Sequence, residues 1–224
     1  MHNFCVVDLG AFYLDVLKDR LYTTPAAGRA RRSAQTALWH IAEAMVRWLA
    51  PILSFTAEEI WQSLPPLPGR PESVFLSQWH VLPAVAAGSS VDWDAVIGLK
   101  ADVSRELETL RGQGLIGGTL DAVVDVWAEP AVHARLAPLG DELRFALITS
   151  EAHLRDAADR PADAAPAPSV AKAGVYVAVR PSRERKCVRC WHLRPDIGSD
   201  PRHPEVCARC AANVEGPGET RRFA

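Results

Sequence analysis

Apolar positions recur at helical spacing through the first third of the chain. Phe4, Val7, Ala11, Leu14, Leu17 and Leu21 share one face over residues 3–22, with Asp8, Asp15, Lys18 and Asp19 elsewhere, which predicts an amphipathic helix. A loop with Pro25 and Gly28 follows, and Ala34, Leu38, Ile41, Met45 and Trp48 then repeat the pattern until Pro51 interrupts it. Thr56 and Glu59 stand three apart as a capping box, with Phe55 and Ile60 in the staple positions, so a third helix is predicted over 57–64 and closed by Pro65. Short connections make these three helices neighbours in an antiparallel bundle.

The pattern then changes. Residues 65–91 are rich in Pro, Gly and Ser, with VFLSQW as an extended piece. Helical spacing resumes at Val96, Leu99, Val103, Leu107 and Leu110 and stops at a run of glycines. Alternation over 121–128 predicts a strand, 130–139 and 141–145 read as short helical pieces, and FALITSEAHL reads as a second strand. Ala and Pro dominate 157–172, the composition of a linker, and VYVAV predicts a strand beyond it. No repeat of 20 to 50 residues is visible. The fold expected is mainly α with a small α/β unit: a helical bundle over 1–90, a mixed α/β subdomain over 91–156, the linker, and a cysteine-bearing module over 173–224.

Composition adds little to this until charge is read locally. The chain has 224 residues, 48% hydrophobic and 23% charged, ordinary for a globular protein, and a formal net charge of -2. Residues 180–224 nevertheless carry ten Arg and Lys against six Asp and Glu. Such a cationic segment favours a phosphate-bearing partner. The longest uncharged run, residues 73–91, contains Gln78, His80, Pro83 and Gly88 and is too polar to cross a bilayer. MHNFCVVDLG lacks the pattern of a secretory signal, and the cysteine usage fits a reducing compartment, so a cytoplasmic location and no membrane partner are expected.

Four of the five cysteines carry chemistry. Cys187, Cys190, Cys207 and Cys210 form C-x2-C-x16-C-x2-C, in which each pair aims two thiolates at one point and the two pairs complete a tetrahedron. One structural Zn2+ in a zinc ribbon is the expectation, with no open position for substrate. Two separate redox pairs are the alternative, but neither sits in a thioredoxin-like setting. Cys5 is expected as a buried helical thiol, and His192 and His203 at the surface. Trp191 is expected to pack over the zinc knuckle; stacking on an unpaired base is the alternative. Arg189 and Arg209 accompany it, and Arg221 and Arg222 in the final segment are further candidates for RNA contact, with solvated charges as the alternative. A second group, Lys18, Arg20, Arg29, Arg31 and Arg32, is suited to phosphates, although charge runs are commonly just solvated faces. No Gly-rich phosphate loop, zinc-protease motif or nucleophile elbow is present, and Glu58, Glu59, Asp92 and Asp94 read as capping groups. No catalytic residue is assigned.

FYLDVLKDRLYT, RRSAQTALWHIAEAMVRWLAPILSFTAEEIW, LGDELRFALITS and the ending from CVRCWH to CARCAANVEGPGETRRFA together resemble the C-terminal portion of bacterial isoleucyl-tRNA synthetases. The resemblance covers essentially the whole chain. The second of these segments is similar to the anticodon-binding helical domain of class I synthetases. The last is similar to a zinc finger also found in some DNA glycosylases. The resemblance implies recognition of the anticodon stem-loop of tRNA-Ile, in support of aminoacylation by an ATP-using catalytic domain. That domain's HIGH and KMSKS signatures and the editing domain have no counterpart here, so this chain alone is expected to be inactive and to have those two domains as partners. Trp191, Arg189 and Arg209 would lie nearest the loop, while Lys18, Arg20, Arg29, Arg31 and Arg32 would hold phosphates. An independent zinc-ribbon nucleic-acid-binding protein and a purely structural zinc module are the competing readings.

Overall fold

The computed structural model describes residues 1–84, 91–172 and 174–224. Two compact units emerge: Met1–Arg31 with Gly88–Ala224, and Arg32–Ala87. The boundary expected at residues 90 and 91, the end of the 73–91 run and the expected module start at 173 lie wholly or partly outside the described residues. Among the described residues no helix is long and apolar enough to cross a membrane.

The larger unit is built on a four-stranded sheet in the order β2-β1-β4-β3. Its members are β1 (Ala122–Ala128), β2 (Glu151–Asp156), β3 (Ala165–Pro166) and β4 (Val175–Pro181). β1 pairs in parallel with β2 and antiparallel with β4. The β1 to β2 crossover carries α5 (Pro130–Leu136) and α6 (Leu143–Leu147). Helix α4 (Trp93–Gly112) buries the expected Val96, Leu99, Val103 and Leu107 in one core with Val124, Val126, Val175 and Val177. Asp92 caps it, accepting from the Ala95 N–H at 3.0 Å. The approach is close at Gly98, where a Cβ would stand 2.4 Å from the Ser169 carbonyl oxygen.

Several elements depart from their sequence pattern for physical reasons. Residues Phe4–Leu14 are π-helical, and α proper begins only at α1 (Asp15–Thr23). A π-helix has more residues per turn, so positions chosen at a 3.6-residue spacing do not line up. Phe4, Val7 and Leu14 are accordingly exposed while Leu17 is buried. β1 is buried at all seven positions rather than alternately, as befits a central strand covered on both faces. The strand read in FALITSEAHL is half helix: α6 ends at Leu147, Ile148 takes a left-handed conformation, and β2 begins at Glu151. Residues 157–172, of linker composition, pack here. They supply β3, bury Ala164 and Ala167, and hold the buried Asp102 carboxylate through the Ser169 N–H (2.9 Å) and hydroxyl (2.7 Å). The cysteine module contributes the hairpin β5 (Arg185–Lys186) and β6 (Leu193–Arg194) and helix α7 (Ala208–Glu215).

Helix α2 (Arg29–Leu49) and helix α3 (Ser54–Ser63) dominate the region of the smaller unit. Its core is Val46, Ala50, Ala57, Trp61 and Val74. The capping box and staple expected at Thr56 do not form. The chain re-enters helix earlier, with the Ser54 hydroxyl bonded back to the Ala50 carbonyl at 3.1 Å, so Thr56 already lies in the first turn and Phe55 is 93% exposed. Part of VFLSQW forms a single 3-10 turn, Val74–Leu76, not an extended piece.

Candidate metal centre and interface

The four cysteines converge because two tight turns present them. In the first, the Cys187 N–H donates to the His192 carbonyl at 2.9 Å, and the Trp191 N–H returns to the Cys187 carbonyl at 2.9 Å. In the second, Cys207 caps α7 and Cys210 lies in its first turn. The Val188 N–H bonds the Glu205 carbonyl at 3.2 Å and joins the two turns. All four cysteines are buried, and their sulfurs lie within 4.8 Å of one another. Cys190 and Cys207 are 3.8 Å apart. A tetrahedron with metal–sulfur bonds of about 2.3 Å has edges of about 3.8 Å, so the donor set fits one structural Zn2+ with every position filled by protein. Hydrogen bonds with Cys190 and the other neighbouring thiols push Cys210 up and bring Cys207 down to about 4, as expected where four buried sulfurs cannot all ionise without a cation. The Cys207 N–H, 3.4 Å from Cys187 Sγ, and Arg189 Nη1, 3.7 Å from Cys210 Sγ, are donors to the sulfurs.

Around this centre the larger unit assembles an ion network on Asp19 of α1. Arg209 donates to Asp19 through two nitrogens at 2.7 and 2.9 Å, and Arg221 bonds the same carboxylate. Glu219 accepts from Arg209 and Arg221, each at 3.0 Å. Burial alone would raise the Asp19 pKa, but the hydrogen bonds and charges of Arg209, then Arg221 and His192, hold it well below the carboxylate range. His192 is buried, not at the surface, with Nδ1 3.2 Å from the Cys190 carbonyl and its ring edge-on to Phe145. It sits two residues after the second cysteine and is drawn inward by the hairpin. His203 is half-buried and 2.9 Å from Glu215. Cys5 is free and half-buried.

A cavity of about 460 Å³ lies between α1 and the first cysteine turn, its lining including Lys18, Tyr22, Phe145, Ile148, Arg189 and Trp191. Trp191 does not cover the knuckle; it is 63% exposed. Its φ of 65° and the 58° of Ile148 are the two positive values at non-glycine positions among the described residues, and both line this cavity. A left-handed conformation costs an L-residue about 1–2 kcal/mol, and β-branched isoleucine adopts it very rarely. Such strain tends to gather at functional sites.

The remaining candidate cations fall into two groups. Arg20, Arg209 and Arg221 are turned inward: the side chain of Arg221 is 1% exposed, and Arg20 donates to the Ala224 carbonyl at 3.1 Å. Arg189 is half-buried and donates to the Thr23 carbonyl at 2.7 Å. Lys18, Arg29, Arg32 and Arg222 are exposed and Arg31 half-buried. Lys18 pairs with Asp15 at 2.8 Å. Sequence reasoning missed Asp19, Glu219, Tyr22 and Ile148. Nothing in the local pattern singles out Asp19 from the other charges of the Lys18, Asp19, Arg20 run, because its partners lie about 190 residues away.

Comparison with known proteins places these features. The family model described as the anticodon-binding domain of tRNA ligase matches residues 1–126, and the zinc finger found in FPG and IleRS matches residues 185–213. The isoleucine–tRNA ligase of Halorhodospira halophila is 56% identical to the chain, and those of Nitrosococcus oceani and Azotobacter vinelandii are each 52% identical. Each alignment covers 100% of this chain and 24% of the relative, so the chain spans about a quarter of their length.

Proposed function

Because this chain belongs to the family of anticodon-binding domains of tRNA ligases, we propose that it binds the anticodon stem-loop of tRNA-Ile and positions that tRNA for aminoacylation by the remainder of a longer synthetase. Within it, the zinc module contacts the bases. One observation carries this reading: the Trp191 indole is held out of the protein in a strained backbone conformation, at the rim of a cavity shared with Tyr22, Lys18 and Arg189. Exposed aromatic faces beside cations suit the unpaired bases of an RNA loop, which stack on such platforms. Phosphate contacts fall to the exposed Lys18, Arg29, Arg32 and Arg222 and to the half-buried Arg31. Arg20, Arg209 and Arg221 serve the reading indirectly, by fixing the module on α1. Exposed apolar side chains such as Ile52, Phe55 and Trp79 supply surface for the rest of the synthetase.

The direct test is Trp191→Ala with an anticodon stem-loop RNA. Stacking is worth roughly 1–3 kcal/mol per base, so affinity should fall about 5- to 150-fold while zinc content is unchanged. Equal affinity in the variant removes Trp191 from the interface. Equal affinity for tRNA-Ile, non-cognate tRNA and duplex DNA points instead to a general zinc-ribbon nucleic-acid binder. Absence of binding at low salt favours a purely structural module, a role consistent with the inward bonds of Arg189 and Arg209.

A further inference from the structure

Within Arg32–Ala87 lies a second cationic site, built from residues that the cysteine module does not share. Arg47 on α2 and Arg70, beyond α3, both bond the buried carboxylate of Glu43, Arg47 at 2.6 Å. Both guanidinium groups also lie over the Trp61 ring, 4.6 and 4.4 Å from its centre. Their side chains are only 15% and 11% exposed. One carboxylate thus faces two guanidinium groups, and one positive charge is left over in a largely dehydrated setting. Donors are left over as well: Arg47 Nε and Arg70 Nη1 are buried without a hydrogen-bond partner among the described residues. Burial lowers the pKa of both arginines, the direction for cations that are incompletely compensated. They remain charged at neutral pH all the same. A cavity of about 250 Å³ is lined by these two side chains together with Trp39, Leu67 and His80. His80 Nε2 is 2.9 Å from His40 Nδ1, and burial, then Arg47 and His40, lower its pKa, so it offers a neutral polar edge.

We propose that this cleft binds a phosphate-type oxyanion, either a phosphodiester of an RNA backbone or free inorganic phosphate. A single such anion neutralises the surplus charge and accepts hydrogen bonds from the two guanidinium groups that line the cleft. Glu43 and Trp61 hold both guanidinium groups in place beforehand, so little ordering is required on binding. Arginine is suited to the task because its planar fork matches phosphate oxygens. The site is independent of the stacking cavity at Trp191, and either can fail without the other.

The test uses the zinc-loaded full chain labelled with ¹⁵N at tryptophan. The Trp61 indole N–H, bonded to the Pro71 carbonyl at 3.0 Å, is the reporter, identified with Trp61→Phe. Inorganic phosphate should shift this resonance saturably, and Arg47→Gln should weaken the apparent affinity by roughly tenfold, the loss of one charge-assisted hydrogen bond. Should Arg47→Gln not fold, Leu67→Glu serves: the side chain is exposed, makes none of these bonds, and places a carboxylate at the rim. Binding should then be lost. A stem-loop RNA that moves the same resonance and is displaced by phosphate assigns the site to the RNA backbone; a response to phosphate alone assigns it to the free anion. The proposal is overturned if neither moves the Trp61 resonance saturably. It is equally overturned if acetate or chloride at matched ionic strength moves it as well as phosphate does, or if Leu67→Glu binds like the wild type.

Discussion

Replacing Asp19 with asparagine should lower the thermal midpoint of the zinc-loaded protein by about 6–12 °C at neutral pH. Asp19 and Glu219 together face Arg209 and Arg221, whose side chains are 11% and 1% exposed. Removing one carboxylate charge leaves two buried guanidinium groups sharing Glu219 alone. Breaking a buried pair on one side costs about 3–5 kcal/mol, and because Glu219 remains, the lower end, about 3 kcal/mol, applies. For a unit of this size each kcal/mol moves the midpoint by about 2–4 °C, which yields the range stated. Asp19 is not a metal ligand, so zinc content should not change. The pH dependence follows from the direction of its pKa. A carboxyl held below its ordinary value stabilises the fold fully above the unfolded pKa of about 3.9, and that contribution fades as the pH falls toward the depressed folded value. The difference between variant and wild type should therefore be constant from pH 8 to about 5 and shrink below about 4. Calorimetry with a metal assay on the same samples measures both. A midpoint shift under about 2 °C refutes the network as a major stabiliser, and zinc loss at neutral pH shows that Asp19 acts through the metal site instead.

Trp191→Gly should relieve the positive φ at that position and leave stability equal or higher by up to about 1 kcal/mol, while RNA affinity falls as it does for Trp191→Ala. Urea melts and filter binding report the two properties, and a parallel loss of both contradicts stored strain. Chelation of the metal should unfold the module 185–213, removing the ~10–16 kcal/mol that such sites contribute to folding. Near-ultraviolet dichroism and hydrogen exchange should show it, and a chelated protein with native protection at β5 and β6 argues against a folding role for zinc. Replacing Arg29, Arg31 and Arg32 with glutamine should leave stability nearly unchanged and reduce the slope of log affinity against log salt by about 2 to 3. An unchanged slope means that these side chains meet no phosphate.

The four cysteines and the periodic α4 were legible along the chain because each rests on short-range order. Two C-x-x-C turns aim thiolates at one point in any setting that holds them, and apolar residues three and four apart share a helix face. The segments that carried the resemblance were likewise continuous stretches. Where the local pattern misled, either the backbone took another local course or a tertiary contact intervened. The π-helical start shifted the register of Phe4, Val7 and Leu14, an early helix start displaced the expected cap at Thr56, and residues 157–172 with linker composition found a sheet edge and the carboxylate of Asp102. The candidate site divides the same way. That a zinc ion belongs here was written in the spacing of Cys187, Cys190, Cys207 and Cys210. Which cations remain free for a partner was decided only when the chain closed on itself, because Asp19 draws Arg209 and Arg221 inward across about 190 residues of sequence. Trp191 stays outside for a related reason: the left-handed turn that closes the cysteine knuckle turns its side chain away from the metal and toward solvent.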